Sequence, residues 1–311
     1  MAQDIKKVVV TGGAGFIGSH LTEALVREGY QVTVLDDLSS GKLANIQACL
    51  SEIEFEKGRV TDFQLLKGLF QGIDYVFHLA AIPSVPRSIE NPLASHEVNV
   101  SGTLNVLLAA SQNKAKKVVY ASSSSVYGDT PTLPKSEDMT PCPLSPYAVG
   151  KLAGENYRRV FSQIYQLPTV SLRYFNVYGP RQDPNSQYAA AIPRFISKIL
   201  AGEPPVIFGD GEQTRDFTFV KDAVEANLLA ARSEMCGVFN ISRGESITVN
   251  RLAELIMKLT GKKSKPIHQE ERKGDIKHSL ADISKARAFG YEPKYDLETG
   301  LAETLRWFDG R

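Results

Sequence analysis

The stretch VVVTGGAGFIGSHLTEAL, residues 8–25, limits what this chain can become more than any other. A run of β-branched residues meets a glycine-rich turn that places Gly12, Gly15 and Gly18 in order, and passes straight into a helical pattern. The order predicts strand, tight turn and helix. Gly12 permits the turn. Gly15, with Phe16 and Ile17 beside it, lets a pyrophosphate approach the backbone at the positive end of the helix, and Gly18 lets helix and strand pack closely. Glycine spacing alone also suits a surface turn, so the context decides. The next β-rich run, QVTVLDD, ends in Asp36, about 20 residues on, where a carboxylate can bond the adenosine ribose hydroxyls. An acid there favours NAD over NADP, whose 2′-phosphate it would repel.

The alternation continues. IEFEKG, IDYVFHLA, KKVVYASS and PTVSLRYFN read as further strands, and 16–29, 62–71, 95–113 and 146–166 as helices. Val, Ile, Tyr and Phe runs alternating with helices predict an α/β chain with a Rossmann-type doubly wound parallel sheet. After Asn176 the rhythm breaks into segments richer in Pro and Gly. The expected division is a dinucleotide domain over 1–176, with 216–240 returning to it. A smaller mixed α/β lobe for substrate is expected over 177–215 and 241–311. Within FTFVKDAVEANLLAARSE, Asp222 is expected to cap the helix that follows.

The segment LSPYAVGKLAGE carries Tyr147 and Lys151. Ser145 suits an N-cap and Pro146 the first helical position. Four residues apart, Tyr147 and Lys151 share one helix face. A lysine in the first turn opposes the helix dipole, and a broken local rule points to function. A neighbouring ammonium, an oxidised nicotinamide and a helix N-terminus all favour the phenolate, so the Tyr147 pKa is expected to fall. Upstream, VVYASSSSVYGD places Ser123, Ser124 and Ser125 at the carboxyl end of a strand, where such sheets form their active crevice.

Composition closes off other classes. The net charge is +1 and charged residues are 23% of the chain, so no global field argues for nucleic acid or a membrane surface. Cys49, Cys142 and Cys236 have no metal-type spacing, which predicts no metal and a reducing, cytoplasmic setting. No apolar run reaches the roughly 20 residues that span a bilayer.

Taken together, TGGAGFIG, HLAA, NVSGT, SSSSVYGD, SPYAVGK and RYFNVYGPRQ resemble the NAD-dependent sugar epimerase/dehydratase family, of the extended short-chain dehydrogenase/reductase type. Within it, GPRQDPNSQYAAAIP, FGDGEQTRDF and RKGDIKHSLADISKA look most like UDP-N-acetylglucosamine 4-epimerases, with UDP-glucose 4-epimerases close by. The resemblance implies Tyr147 as acid/base, Lys151 as its electrostatic partner and ribose contact, and Ser123 as catalytic serine assisted by Ser125. It implies that Gly12, Gly15, Gly18, Asp36, Asn99 and Lys151 hold NAD. Ser84, Asn176, Gln182, Tyr188, Arg215 and Arg272 would hold a UDP-hexose, together with Ser123, Tyr147 and Ser279. Two departures stand out. Arg59, in KGRVTD, occupies a position where relatives often carry an acid for the adenine, leaving Asp62 or the Val60 backbone for that contact. Ser124 and Ser125 stand where dehydratases carry an acidic pair, which argues against dehydration.

The implied reaction is inversion at C4 of a UDP-hexose through a 4-keto sugar, with tightly bound NAD regenerated each turnover. UDP-GlcNAc and UDP-GalNAc are the expected pair, with UDP-Glc and UDP-Gal also accepted, because Ser279 leaves room where tyrosine would fill the hexose pocket. Rival readings are UDP-glucose or UDP-glucuronate 4-epimerisation, a dehydrogenase or reductase that releases NADH, and a regulatory protein that only binds nucleotide. A homodimer through the helices at 95–113 and 146–166 is expected by analogy.

Overall fold

The computed structural model describes residues 5–184, 190–234, 236–271 and 276–310. Tyr188 and Arg272 lie outside the described residues. Seven strands form one parallel sheet: β1 Lys7–Thr11, β2 Gln31–Asp36, β3 Ile53–Lys57, β4 Tyr75–His78, β5 Lys117–Ser123, β6 Thr169–Tyr174 and β7 Gly237–Ile241. Their order is β7-β6-β5-β4-β1-β2-β3. The order reverses between β1 and β4, which opens a crevice at the carboxyl ends of the strands. Val8, Val9 and Val10 have no solvent exposure. Burial on both faces is why the strands read as continuous apolar runs rather than alternating ones.

Helices cover both faces: α1 Phe16–Arg27, α2 Phe63–Leu69, α3 Val85–Glu90, α4 Pro92–His96, α5 Thr103–Gln112 and α6 Pro146–Ile164. A π-helical segment, Glu97–Gly102, joins α4 to α5. Ser145 caps α6 by accepting from the Ala148 N–H, with Pro146 at the first position. The chain then leaves the sheet for α7 (Ala191–Leu200) and returns with α8 (Val220–Arg232) and β7, which pairs with β6. A second apolar cluster joins α7, α9 (Val249–Thr260) and the C-terminal helix Leu297–Asp309 through Ile196, Ile256 and Leu301.

Two expectations need correction here. Asp222 does not cap α8. The helix starts at Val220, and Asp222, in its first turn, accepts from the distant Lys294 and Tyr295 N–H groups. Nor does the 95–113 stretch present a large apolar face: Leu104 and Leu108 pack inward against the cluster around Val106 and Phe161. The exposed apolar residues sit earlier, at Ile89 and Leu93, and along α6 at Val149, Val160 and Ile164.

Candidate active site

The glycine turn is built as its sequence requires. Gly12 has φ +72°, and a Cβ there would lie 2.7 Å from the Ala80 nitrogen. A Cβ on Gly18 would sit 2.0 Å from the Gly12 carbonyl oxygen, so only glycine lets α1 close on the turn. Gly15 is the extended residue just before α1. Gly12, Gly15, Phe16, Ile17 and Gly18 line a cavity of about 420 Å³. Asp36 lines it too, nearly buried at the end of β2, with Oδ2 accepting from the Ala14 N–H (3.0 Å) and Oδ1 from the Leu38 N–H (2.8 Å). Each carboxylate oxygen keeps acceptor capacity beyond these bonds. Burial pushes its pKa up. The donor-rich helix end and this carboxylate fit a dinucleotide.

The adenine end differs from expectation. Arg59 lines the cavity and lies 3.7 Å from Asp37. Asp62 is not among the lining residues. Its carboxylate caps α2 by accepting from Leu65 N–H. Val60 lines the cavity, but its carbonyl accepts from the Asn105 amide (3.2 Å). Asn99 stands behind the wall rather than in it. Buried in the π-helical segment, it accepts from Ile82 N–H (2.9 Å) and donates to Ile82 O (3.3 Å), holding the loop that lines the cavity.

A second cavity of about 590 Å³ meets the first at Phe16, Ile17, Ser122, Tyr147 and Tyr174. Its wall brings together Ser84, Ser123, Ser125, Asn176, Arg215 and Ser279, residues spread over most of the chain. Ser84 also caps α3, and Asn176 donates to the Asp216 carbonyl at 2.9 Å. Arg215 is held by the carbonyls of Thr214 (2.9 Å) and Lys277 (3.3 Å). Ser279 is 8% exposed and its N–H donates to the Thr214 carbonyl. Gln182 does not line this cavity: its amide donates to the Val177 carbonyl, 3.2 Å away.

Tyr147 lies where the cavities join. Ser123, at the end of β5, lines the second cavity together with Tyr147, and its oxygen accepts from Ser125 N–H. The Ser125 hydroxyl is buried in the wall without a partner among the described residues. Lys151 is buried, donates to the Ala121 carbonyl (2.7 Å), and places its nitrogen 5.8 Å from the Tyr147 ring centre and 5.1 Å from that of Tyr120. Burial lowers the Lys151 pKa to about 7, against the opposing pull of Glu155. Burial raises that of Tyr147, with Ser123 countering. The expected fall of Tyr147 is thus not what the protein alone produces, because loss of water around the phenol outweighs the influence of the nearby serine. Sequence reasoning also passed over Glu155 and Ser122, though Glu155 stands at i+4 from Lys151 in the segment already singled out.

Residues 8–242 match the model of the NAD dependent epimerase/dehydratase family. The chain is similar to UDP-N-acetylglucosamine 4-epimerase from Methanobrevibacter ruminantium, solved with UDP-N-acetylmuramic acid. The two are 46% identical over 99% of each chain, with a TM-score of 0.95. It is 40% identical to UDP-glucose 4-epimerase from Thermotoga maritima, solved with UDP-glucose, over 98% of this chain and 99% of that one, with a TM-score of 0.95. It is also similar to UDP-glucuronic acid 4-epimerase from Bacillus cereus, solved with UDP-glucuronic acid and NAD: 36% identical over 98% of this chain and 99% of that one, TM-score 0.91.

Proposed function

This chain belongs to the NAD dependent epimerase/dehydratase family, and from that premise we propose that it is a UDP-hexose 4-epimerase acting on UDP-GlcNAc and UDP-GalNAc, with UDP-Glc and UDP-Gal as further substrates. The observation that carries the reading is Tyr147 at the junction of the two cavities, in the same wall as Ser123 and backed by Lys151. One cavity fits the dinucleotide. The other, wider one takes the nucleotide-sugar.

NAD, when bound, supplies a hydride acceptor and donor at the sugar C4. The protein does the rest. Tyr147 removes the proton from the 4-hydroxyl, helped by Ser123, and returns it once the ring has turned. Lys151 stabilises the phenolate by its charge. Ser125, with a buried hydroxyl that lacks a partner among the described residues, offers a further donor to the sugar oxygen. Arg215 holds the UDP end, as a guanidinium suits phosphate and ribose oxygens. Anchoring UDP while leaving the 4-keto ring free to rotate presents both ring faces to one acid/base. Absence of a carboxylate at Ser124 and Ser125 disfavours β-elimination.

Ser279 supports the N-acetylated pair: a small residue in the wall leaves space for an acetamido group at C2. The homodimer belongs to the same proposal, through the helices at 95–113 and 146–166, with Ile89, Leu93 and the outer residues of α6 exposed. Product identification after incubation with UDP-GlcNAc, UDP-Glc and UDP-GlcA tests the reading. UDP-GalNAc from the first is the expected result, and turnover of UDP-GlcA alone would overturn it.

A further inference from the structure

The catalytic helix carries a third residue on the Tyr147–Lys151 face, and it too reaches the end of β5. Glu155 stands one turn beyond Lys151, with its side chain 5% exposed. Its Oε1 accepts from Ser122 Oγ (2.5 Å) and from Arg173 Nε (2.9 Å), and Oε2 accepts from Arg173 Nη2 (2.7 Å). Lys151 holds the carbonyl of Ala121, and Tyr147 lines the same cavity as Ser123. Residues one and two turns beyond Tyr147 thus grip two successive residues of β5, Ala121 and Ser122. We infer that Glu155, backed by Arg173 on β6, is a positioning residue: it fixes Ser122, and with it the seat of α6 on the carboxyl end of β5, and it sets a carboxylate one helical turn from Lys151. The inference rests on Tyr147 and Lys151 being the reacting pair.

Holding Ser122 needs only an acceptor, and packing does not require a charge. A buried ion pair is often no more stabilising than an apolar pair of similar volume. A carboxylate here makes sense through what it does to its neighbours. Lys151 faces the phenol rings of Tyr147 and Tyr120, and His78, stacked on Tyr120, is held neutral by burial. Among these groups Glu155 is the anion. It faces Arg173 across the sheet, Arg158 along α6 and the Tyr120 phenol. Burial alone drives Lys151 towards the neutral amine, and Glu155 opposes it.

The test follows the ε-carbon NMR signals of 13C-lysine in the purified protein across pH, with Lys151 assigned by Lys151→Arg. Glu155→Gln keeps an acceptor for Ser122 and removes the charge. Lys151 is then expected to titrate about one pH unit lower, with the alkaline limb of the rate profile moving the same way. Should the unpaired Arg173 prevent folding, Glu155→Gln combined with Arg173→Met removes both charges, and the same direction of shift is expected. Ser122→Ala should lower kcat several-fold with KM and the Lys151 midpoint unchanged. A Lys151 midpoint that stays at the parent pH in a folded Glu155 variant overturns the electrostatic role, and parental kcat in Ser122→Ala overturns the grip on β5. The NMR signal needs no turnover, so an inert parent would contradict the epimerase reading separately.

Discussion

The side-chain nitrogen of Lys151 lies 5.8 Å from the centre of the Tyr147 ring, one helical turn away, while bonded to the carbonyl of Ala121. The lysine is thereby held beside the ring that would carry the phenolate, and Ser123 lines the same cavity. Tyr147→Phe keeps the ring and removes the proton-transfer group. Its kcat should fall by about 10²–10⁴-fold, the usual worth of general acid–base help. Binding of UDP-sugar, followed by calorimetry, should change little. Turnover near the parent rate would remove Tyr147 from the reaction.

The buried lysine carries a stability cost with a defined pH window. In the folded protein the Lys151 pKa falls from 10.5 to about 7, so between these values the unfolded chain binds more protons. Its contribution to stability is least unfavourable above the unfolded value and worsens as pH falls towards the folded one. Lys151→Met should therefore melt at a higher temperature than the parent, with a gap that widens from about pH 10 down to about pH 7 and then levels, while activity is lost. A gap independent of pH in thermal melts would show that Lys151 is not desolvated in the folded state.

Room at Ser279 is the basis of the sugar assignment. In a close-packed wall a phenol ring would have to be accommodated by strain, and overpacking costs about 1–3 kcal/mol. Ser279→Tyr should lose UDP-GlcNAc/UDP-GalNAc activity and keep UDP-Glc/UDP-Gal activity, because a roomy pocket discriminates weakly against a smaller group. UDP-GlcNAc turnover at the parent rate in this variant would place the selection elsewhere.

The face of α6 that carries Val149, Tyr157, Val160 and Ile164 is exposed, as are Ile89 (61%) and Leu93 (82%). Residues at this spacing form one helical stripe. Light scattering at micromolar concentration should give a dimer for the parent and a monomer for Leu93→Glu with Ile164→Glu. A monomeric parent would contradict the shared interface.

Much of this was legible in the residues because the signals are local. The β-branched runs, the glycine turn and the Ser145-Pro146 start of α6 each fix their own conformation. What escaped was set by distant partners. Asp222 looked like a cap, but accepts from residues 294 and 295. Asp62 looked available to a ligand, but it caps α2 outside the cavity lining. Asn99 acts through the backbone of Ile82 rather than by lining the cavity. Glu155 gave a spacing signal, yet its meaning depends on Arg173, which arrives on the neighbouring strand.

The central claim is that Tyr147 and Lys151 drive oxidation at C4 and return of the same hydride to that carbon, with NAD retained. The direct measurement is incubation of the purified protein with UDP-GlcNAc carrying deuterium at C4, without added NAD, followed by mass and NMR analysis of the products. The account predicts UDP-GalNAc with the deuterium still at C4. Deuterium lost to water, deuterium appearing in released NADH, or no UDP-GalNAc at all would contradict it.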